Sequence, residues 1–120
     1  MKVLFDTNIL IDYLLGHVAA NRELEQYKDC KISIITKMEI LAGTSEDNEE
    51  TIREFLDNFT IIGLNEEIAE IAISIRKKYK IKLPDAIIWA TAKYCNGLLI
   101  TRNTKDFPIH APDIKVPYNI

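Results

Sequence analysis

Long apolar runs, cysteines and histidines are scarce in this chain, and each shortage removes a class of protein. No apolar stretch approaches the roughly 18 residues that cross a bilayer, so no membrane span is expected. No basic segment leads into a long apolar one near the start. A secretory signal is therefore not expected, and the cytoplasm is the expected compartment. The two cysteines, Cys30 and Cys95, are too few for a disulfide framework or a thiolate metal knuckle. They read as reduced, packed thiols. The two histidines, His17 and His110, sit in no motif and read as surface or capping residues. Glycine and proline number four each, and there is no repeat, low-complexity stretch or linker.

What is present is ample apolar and charged material. With 48% apolar and 28% charged residues in 120, the chain reads as one soluble globular domain spanning 1–120, long enough to bury a core. Its net charge of −3 hides an asymmetry. Residues 1–70 hold 15 acids and 6 Lys or Arg, net −9; residues 71–120 hold 3 acids and 9 Lys or Arg, net +6. The basic residues are densest in Arg76-Lys77-Lys78-Tyr79-Lys80-Ile81-Lys82. That run is either the solvated last turn of a helix, complementing its dipole, or a patch that contacts phosphates.

Hydrophobic patterning alternates strand and helix. Val3-Leu4-Phe5 is a buried strand that runs into Asp6, and Ile9, Leu10, Tyr13 and Leu14 keep helical spacing up to Gly16. A polar helix is expected over 19–27, a strand over 31–35, a short helix over 36–42 and an amphipathic helix over 46–59. A third strand spans 60–64. Asn65 is a good N-cap, followed by the acids Glu66 and Glu67. Pro84 opens another helix, which Gly97 stops. A fourth strand covers 98–101, and a short edge strand is expected near 114–116. Such alternation favours parallel pairing with right-handed crossovers, and it leaves strand order open.

Four acids fall at strand ends or helix starts: Asp6, Glu39, Asp85 and Asp106. Each has a local explanation. Asp6 can cap a helix, Glu39 can close a capping box with Thr36, Asp85 can be a first-turn acid, and Asp106 can belong to a turn. In a parallel sheet, however, these positions can share one edge, where open α/β sheets bind their ligands. Carboxylates within roughly 4 Å of each other repel by about 4 kcal/mol per pair at an effective dielectric near 20. Protonation or a divalent cation relieves this, and hard oxygen ligands suit Mg²⁺ or Mn²⁺. A water ionised by such a cation can hydrolyse a phosphodiester without a His or Ser nucleophile.

The stretches Phe5-Asp6-Thr7-Asn8-Ile9-Leu10-Ile11-Asp12, Ile35-Thr36-Lys37-Met38-Glu39, Leu83-Pro84-Asp85-Ala86 and Thr101-Arg102-Asn103-Thr104-Lys105-Asp106-Phe107 occur in order across nearly the whole chain. Together they resemble the motifs of PIN-domain ribonucleases, with the nearest resemblance to the VapC toxins of toxin–antitoxin pairs. The resemblance implies a single PIN domain over 1–120. Its fold would be a Rossmann-like α/β three-layer sandwich around a central, mostly parallel sheet of four or five strands. It implies that Asp6, Glu39, Asp85 and Asp106 serve as catalytic and metal-holding residues, with Thr101 and Asn103 beside the metal. It also implies Mg²⁺ or Mn²⁺ as cofactor, single-stranded or loop RNA as substrate, a homodimer, and an antitoxin that blocks the site. Lys77, Lys78, Lys80, Lys82, Arg102 and Lys105 are the candidates for RNA contact. Trp89, one turn after Asp85, either stacks on a base or packs in the core. Tyr13 and Leu14 serve either the core or a dimer.

Two rival functions share this architecture. One is a catalytically inactive RNA- or protein-binding PIN module. The other is a Mg²⁺-dependent phosphoacceptor signalling domain, which needs paired acids at the first strand end; here Asp6 is followed by Thr7-Asn8.

Overall fold

Short strands set the register of the molecule. The computed structural model describes residues 2–120. In chain order the elements are β1 (Val3–Phe5), α1 (Thr7–Leu14), α2 (Val18–Glu25), β2 (Cys30–Ser33), α3 (Ile34–Ala42), α4 (Glu46–Leu56), β3 (Thr60–Ile62), α5 (Glu66–Tyr79), α6 (Leu83–Tyr94), β4 (Leu98–Ile100) and β5 (Ile114–Lys115). Among the described residues the strands form one five-stranded sheet in the order β3-β2-β1-β4-β5, with every pair parallel. The chain winds outward from β1 through β2 to β3, then returns past β1 to lay down β4 and β5. β1 is thus the switch point, flanked by β2 and β4, and the carboxyl ends of these three strands lie side by side.

Period-two alternation splits the core over the two faces of the sheet. Leu4 and Leu99 pack with Ile68, Ala72, Ile75, Ile88 and Trp89 of α5 and α6. Val3, Phe5, Ile32 and Ile100 pack with Ile9 and Leu10 of α1, Ile40 of α3 and Leu56 of α4. Helices on both faces make this a three-layer α/β fold. β4 starts hard against β1. A Cβ on Gly97 would sit 3.1 Å from the Lys2 carbonyl oxygen, and the next amide, Leu98, donates to that oxygen at 2.9 Å.

Local chemistry accounts for most element ends. Asn65 accepts from the Ile68 N–H at 2.8 Å and caps α5. Lys80 ends α5 in the left-handed region (φ 62°), and Arg76 donates to the Ile81 carbonyl at 2.6 Å, tying α5 to the corner before α6. Several boundaries depart from expectation: α2 ends at Glu25 and not 27, α4 at Leu56 and not 59, and β3 at Ile62 and not 64. At β2 the cause is visible. The strand expected over 31–35 stops at Ser33, because the Ser33 hydroxyl accepts the Ile35 N–H at 3.1 Å and starts α3 two residues early. Thr36 is therefore inside the helix and fully buried, so it cannot form a capping box with Glu39.

The Trp89 alternative resolves, and that of Tyr13 and Leu14 narrows. Trp89 is fully buried, its ring lies between Tyr79 and Phe107, and its indole N–H donates to Asp113 at 2.9 Å. It is a core residue and not a platform for a base. Tyr13 stacks on Phe55 at 5.0 Å, whereas Leu14 stays exposed beside Ile11, Leu15 and Val18. Both cysteines are free thiols. No described helix is long and apolar enough to cross a membrane.

Candidate active site

β1 delivers Asp6 to the carboxyl edge of the sheet, and the Asp6 N–H still donates to Ile100 of β4 at 2.9 Å. There the chain turns into α1, and Asp6 Oδ1 caps it by accepting the Thr7 N–H at 2.8 Å. The capping explanation is thus true of Asp6, but it uses only one oxygen. The other, Oδ2, accepts from the Thr101 hydroxyl at 2.7 Å and from the Asn8 side-chain amide at 3.1 Å. Asp6 is only 3% exposed. Burial pushes its carboxyl up to about 6, against the Thr101 and Thr7 hydrogen bonds, and the charges of Asp85 and Glu39 push in the same direction.

The other acids arrive from three different elements. Asp85 lies in the first turn of α6, half-buried. Its carboxyl is raised by burial and by the charges of Asp106 and Glu39, with Lys82 opposing. Glu39 projects from α3 and accepts from the Thr7 hydroxyl at 2.7 Å. Asp106 follows β4 and exchanges bonds with Asn103. The Asn103 amide donates to Asp106 Oδ2 at 2.9 Å, and the Asp106 N–H donates to Asn103 Oδ1 at 3.2 Å. Acids distant in sequence therefore feel one another's charge at one end of the sheet. Among the described residues, none of the four is in an ion pair.

Their spacing is open. Among the described residues, no three His, Cys, Asp or Glu side chains are drawn together closely enough to hold a metal ion as they stand. Glu39 is held by the Thr7 hydroxyl and Asp106 by the Asn103 amide. The donor set itself fits a hard divalent cation, since every candidate ligand is a carboxylate oxygen and two of the carboxyls are raised by burial and, after it, by neighbouring acids.

Thr101 is fully buried on Asp6, and Asn103 is bonded to Asp106. Two further polar residues belong to this network and were not singled out from the sequence. Asn8 bridges Asp6 and Thr101 (3.3 Å) and accepts the Arg102 N–H at 3.3 Å. Thr7 joins Glu39 to Thr36 (3.0 Å). The polar pair Thr7-Asn8, placed directly after a buried strand, was the signal. Of the basic candidates, Lys77, Lys78, Lys80, Lys82 and Lys105 are exposed. Arg102 is engaged elsewhere: its Nε and Nη2 donate to the two oxygens of Asp12 at 2.5 and 2.8 Å.

A doubly wound parallel sheet with an acid-lined carboxyl edge, centred on its switch point, defines the class. The chain belongs to the PIN-domain family, whose model matches residues 3–111. It is similar to ribonuclease VapC1 of Methanocaldococcus jannaschii, with 36% identity over 112 residues that cover 88% of this chain and 79% of that protein. A toxin–antitoxin complex from Klebsiella pneumoniae contains a chain 45% identical to it, with a TM-score of 0.94 over 99% of this chain and all of that one. VapBC2 of Rickettsia felis, solved on a DNA fragment from its promoter, shares the fold at 23% identity and a TM-score of 0.80, covering 95% of this chain and 96% of that one.

Proposed function

We propose that this chain is a metal-dependent endoribonuclease and the toxin of a toxin–antitoxin pair. The observation that carries the reading is Asp6, a buried carboxyl raised to about 6 by burial and by neighbouring acids and, among the described residues, in no ion pair. A chain that wanted only a helix cap would have no reason to collect Glu39 and Asp85 around it. The names of the similar proteins add ribonuclease activity and an antitoxin to this reading.

On this reading Asp6, Asp85 and Asp106 hold Mg²⁺ or Mn²⁺, and Glu39 joins them or orients the attacking water. The bound ion would supply an ionised water and a Lewis acid for a phosphate oxygen. The chain's own residues do the rest. Thr101 and Asn8 fix one oxygen of Asp6, so that its position does not depend on the ligand. Asn103 orients Asp106, and Thr7 orients Glu39. The exposed Lys77, Lys78, Lys80, Lys82 and Lys105 attract an RNA backbone that the acids alone would repel. A groove lined by Ile11, Leu14, Leu15, Ile40 and Gly43 reaches Glu39, so an antitoxin seated in it would cover that acid. A homodimer and a cytoplasmic site of action belong to the same proposal.

The test is incubation with a panel of structured and single-stranded RNAs, with Mn²⁺ and with EDTA. Endonucleolytic cuts that need the metal and vanish in Asp6→Asn support the reading. Undiminished cleavage by Asp6→Asn refutes the assignment, and no cleavage of any RNA by the wild type leaves a binding module in its place.

A further inference from the structure

We propose that Asp12 is a positioning residue: through Arg102 it holds the loop after β4 so that Asn103 and Asp106 face Asp6 and Asp85. The proposal rests on the nuclease reading only for its kinetic arm. Asp12 lies on α1, 1% exposed, yet it is an acid on a helix face otherwise given to Ile9 and Leu10. It receives a two-pronged bond from Arg102 (2.5 and 2.8 Å) and a third from the Tyr118 hydroxyl (2.9 Å). A planar guanidinium bonded at two points to a fixed carboxylate has its backbone placed as well as its charge.

Residue 102 is where that constraint matters. Its neighbours in sequence are Thr101, whose hydroxyl bonds Asp6, and Asn103, whose amide bonds Asp106. Its own N–H donates to Asn8, which also bonds Asp6. Loop and helix are therefore joined twice, once at the acids and once at Asp12. Between the two joints, the Asn103 N–H donates to the Thr101 hydroxyl at 3.0 Å and starts the turn that carries Asp106. Tyr118 brings the C-terminal segment into the clamp, 106 residues away from Asp12 in sequence.

The test uses the full chain as wild type, Asp12→Asn, Arg102→Lys and Tyr118→Phe. Amide hydrogen exchange is read by NMR, and steady-state cleavage at saturating Mn²⁺. In Asp12→Asn the amides of Asn103 and Asp106 should exchange on the order of tenfold faster while Leu99 and Thr101 in the sheet ladder hold. In the same variant kcat should fall on the order of tenfold with KM little changed, the scale expected for partners that orient metal ligands. Arg102→Lys should follow Asp12→Asn, since an ammonium lacks the fork, and Tyr118→Phe should lose about threefold, the scale of one hydrogen bond. Should Asp12→Asn not fold, the other two variants decide. Uniform loss of protection across the chain, or none at the loop, overturns the proposal. So does a rise in KM at unchanged kcat, which would make Arg102 an RNA contact. If the wild type cuts no RNA, the nuclease reading falls while the exchange data still decide the clamp.

Discussion

Helix α1 has a buried acid at each end, and the two are treated in opposite ways. Asp6 precedes its first turn and Asp12 lies in its last; they are 3% and 1% exposed. For both, burial is the largest influence and acts upward. At Asp12 the Arg102 and Tyr118 hydrogen bonds, with the charges of Arg102 and His17, more than offset it and hold the carboxyl below its usual range. At Asp6 only neutral donors help, the neighbouring charges are acids, and the carboxyl rises to about 6. Glu23 and Lys115 repeat the first pattern, paired at 2.7 Å. Where this chain buries an acid for structure, it provides a cation. At the sheet edge it gathers acids that, among the described residues, are in no ion pair, with the charge of Lys82 opposing only at Asp85, and the proposed function supplies an external cation there.

The largest expected effect breaks the comparison at its functional end. Asp6→Asn keeps the volume and one acceptor but removes the charge, so cleavage should fall by about a thousandfold, equivalent to about 4 kcal/mol of transition-state stabilisation. RNA cleavage at saturating Mn²⁺ measures it. A loss below about tenfold would make Asp6 a cap and nothing more.

Stability against pH sharpens the same contrast without any substrate. The Asp6 carboxyl is raised in the fold, so its contribution to stability is full below about 3.8 and is lost as pH rises through about 6. At neutral pH in EDTA this costs about 3 kcal/mol. Asp12 is lowered, so its contribution is present above the ordinary Asp range and is lost as pH falls through it. Urea unfolding of wild type minus Asp6→Asn should therefore slope downward between pH 4 and 7, and wild type minus Asp12→Asn upward at the acid end. Slopes of the same sign would end the comparison.

Added Mn²⁺ should then stabilise the wild type by about 2.7 kcal/mol at a hundredfold excess over its dissociation constant. Asp6→Asn should lose most of that gain, while Lys115→Met should keep all of it. Calorimetric melts with and without the ion read the difference.

Much of this was legible in the sequence, and the reasons differ by residue. Asn65 followed by two acids, and Pro84 before an apolar helix, are local signals that no distant contact overrides. The end of β2 was not legible, because Ile32, Ile34 and Ile35 read as one apolar run and only the Ser33 cap divides them. Strand order was not legible either, since the alternating pattern fits several windings. Asp6 and Asp85 could be picked out from local signals, one as the cap of α1 and the other in the first turn of α6. Glu39 and Asp106 were expected at element ends too, but they lie inside α3 and in a turn beyond β4, so only the motif around each singled it out. Asp12 could not be picked out, for its partners lie 90 and 106 residues away and nothing periodic announces them. Trp89 was undecided for the same reason, with Asp113 as its remote acceptor.

The smallest effect tests whether the paired end is replaceable. Glu23 is 4% exposed and accepts from Lys115, from Tyr27 at 3.2 Å and from Gln26 at 3.0 Å. Lys115→Met leaves that carboxylate without its cation. Breaking a fully buried pair costs more, but Lys115 is 36% exposed, so about 1–2 kcal/mol is expected from urea unfolding. Adding Glu23→Gln should return most of it, because a neutral amide needs no cation. Cleavage should stay within about twofold in both, since the Lys115 carbonyl still accepts the Thr101 N–H at 3.0 Å and the sheet edge is untouched. An acid that a neutral isostere can replace is structural. Asp6, whose isostere should hold stability and lose chemistry, is the other kind, and a Glu23→Gln, Lys115→Met chain that loses cleavage would erase the distinction.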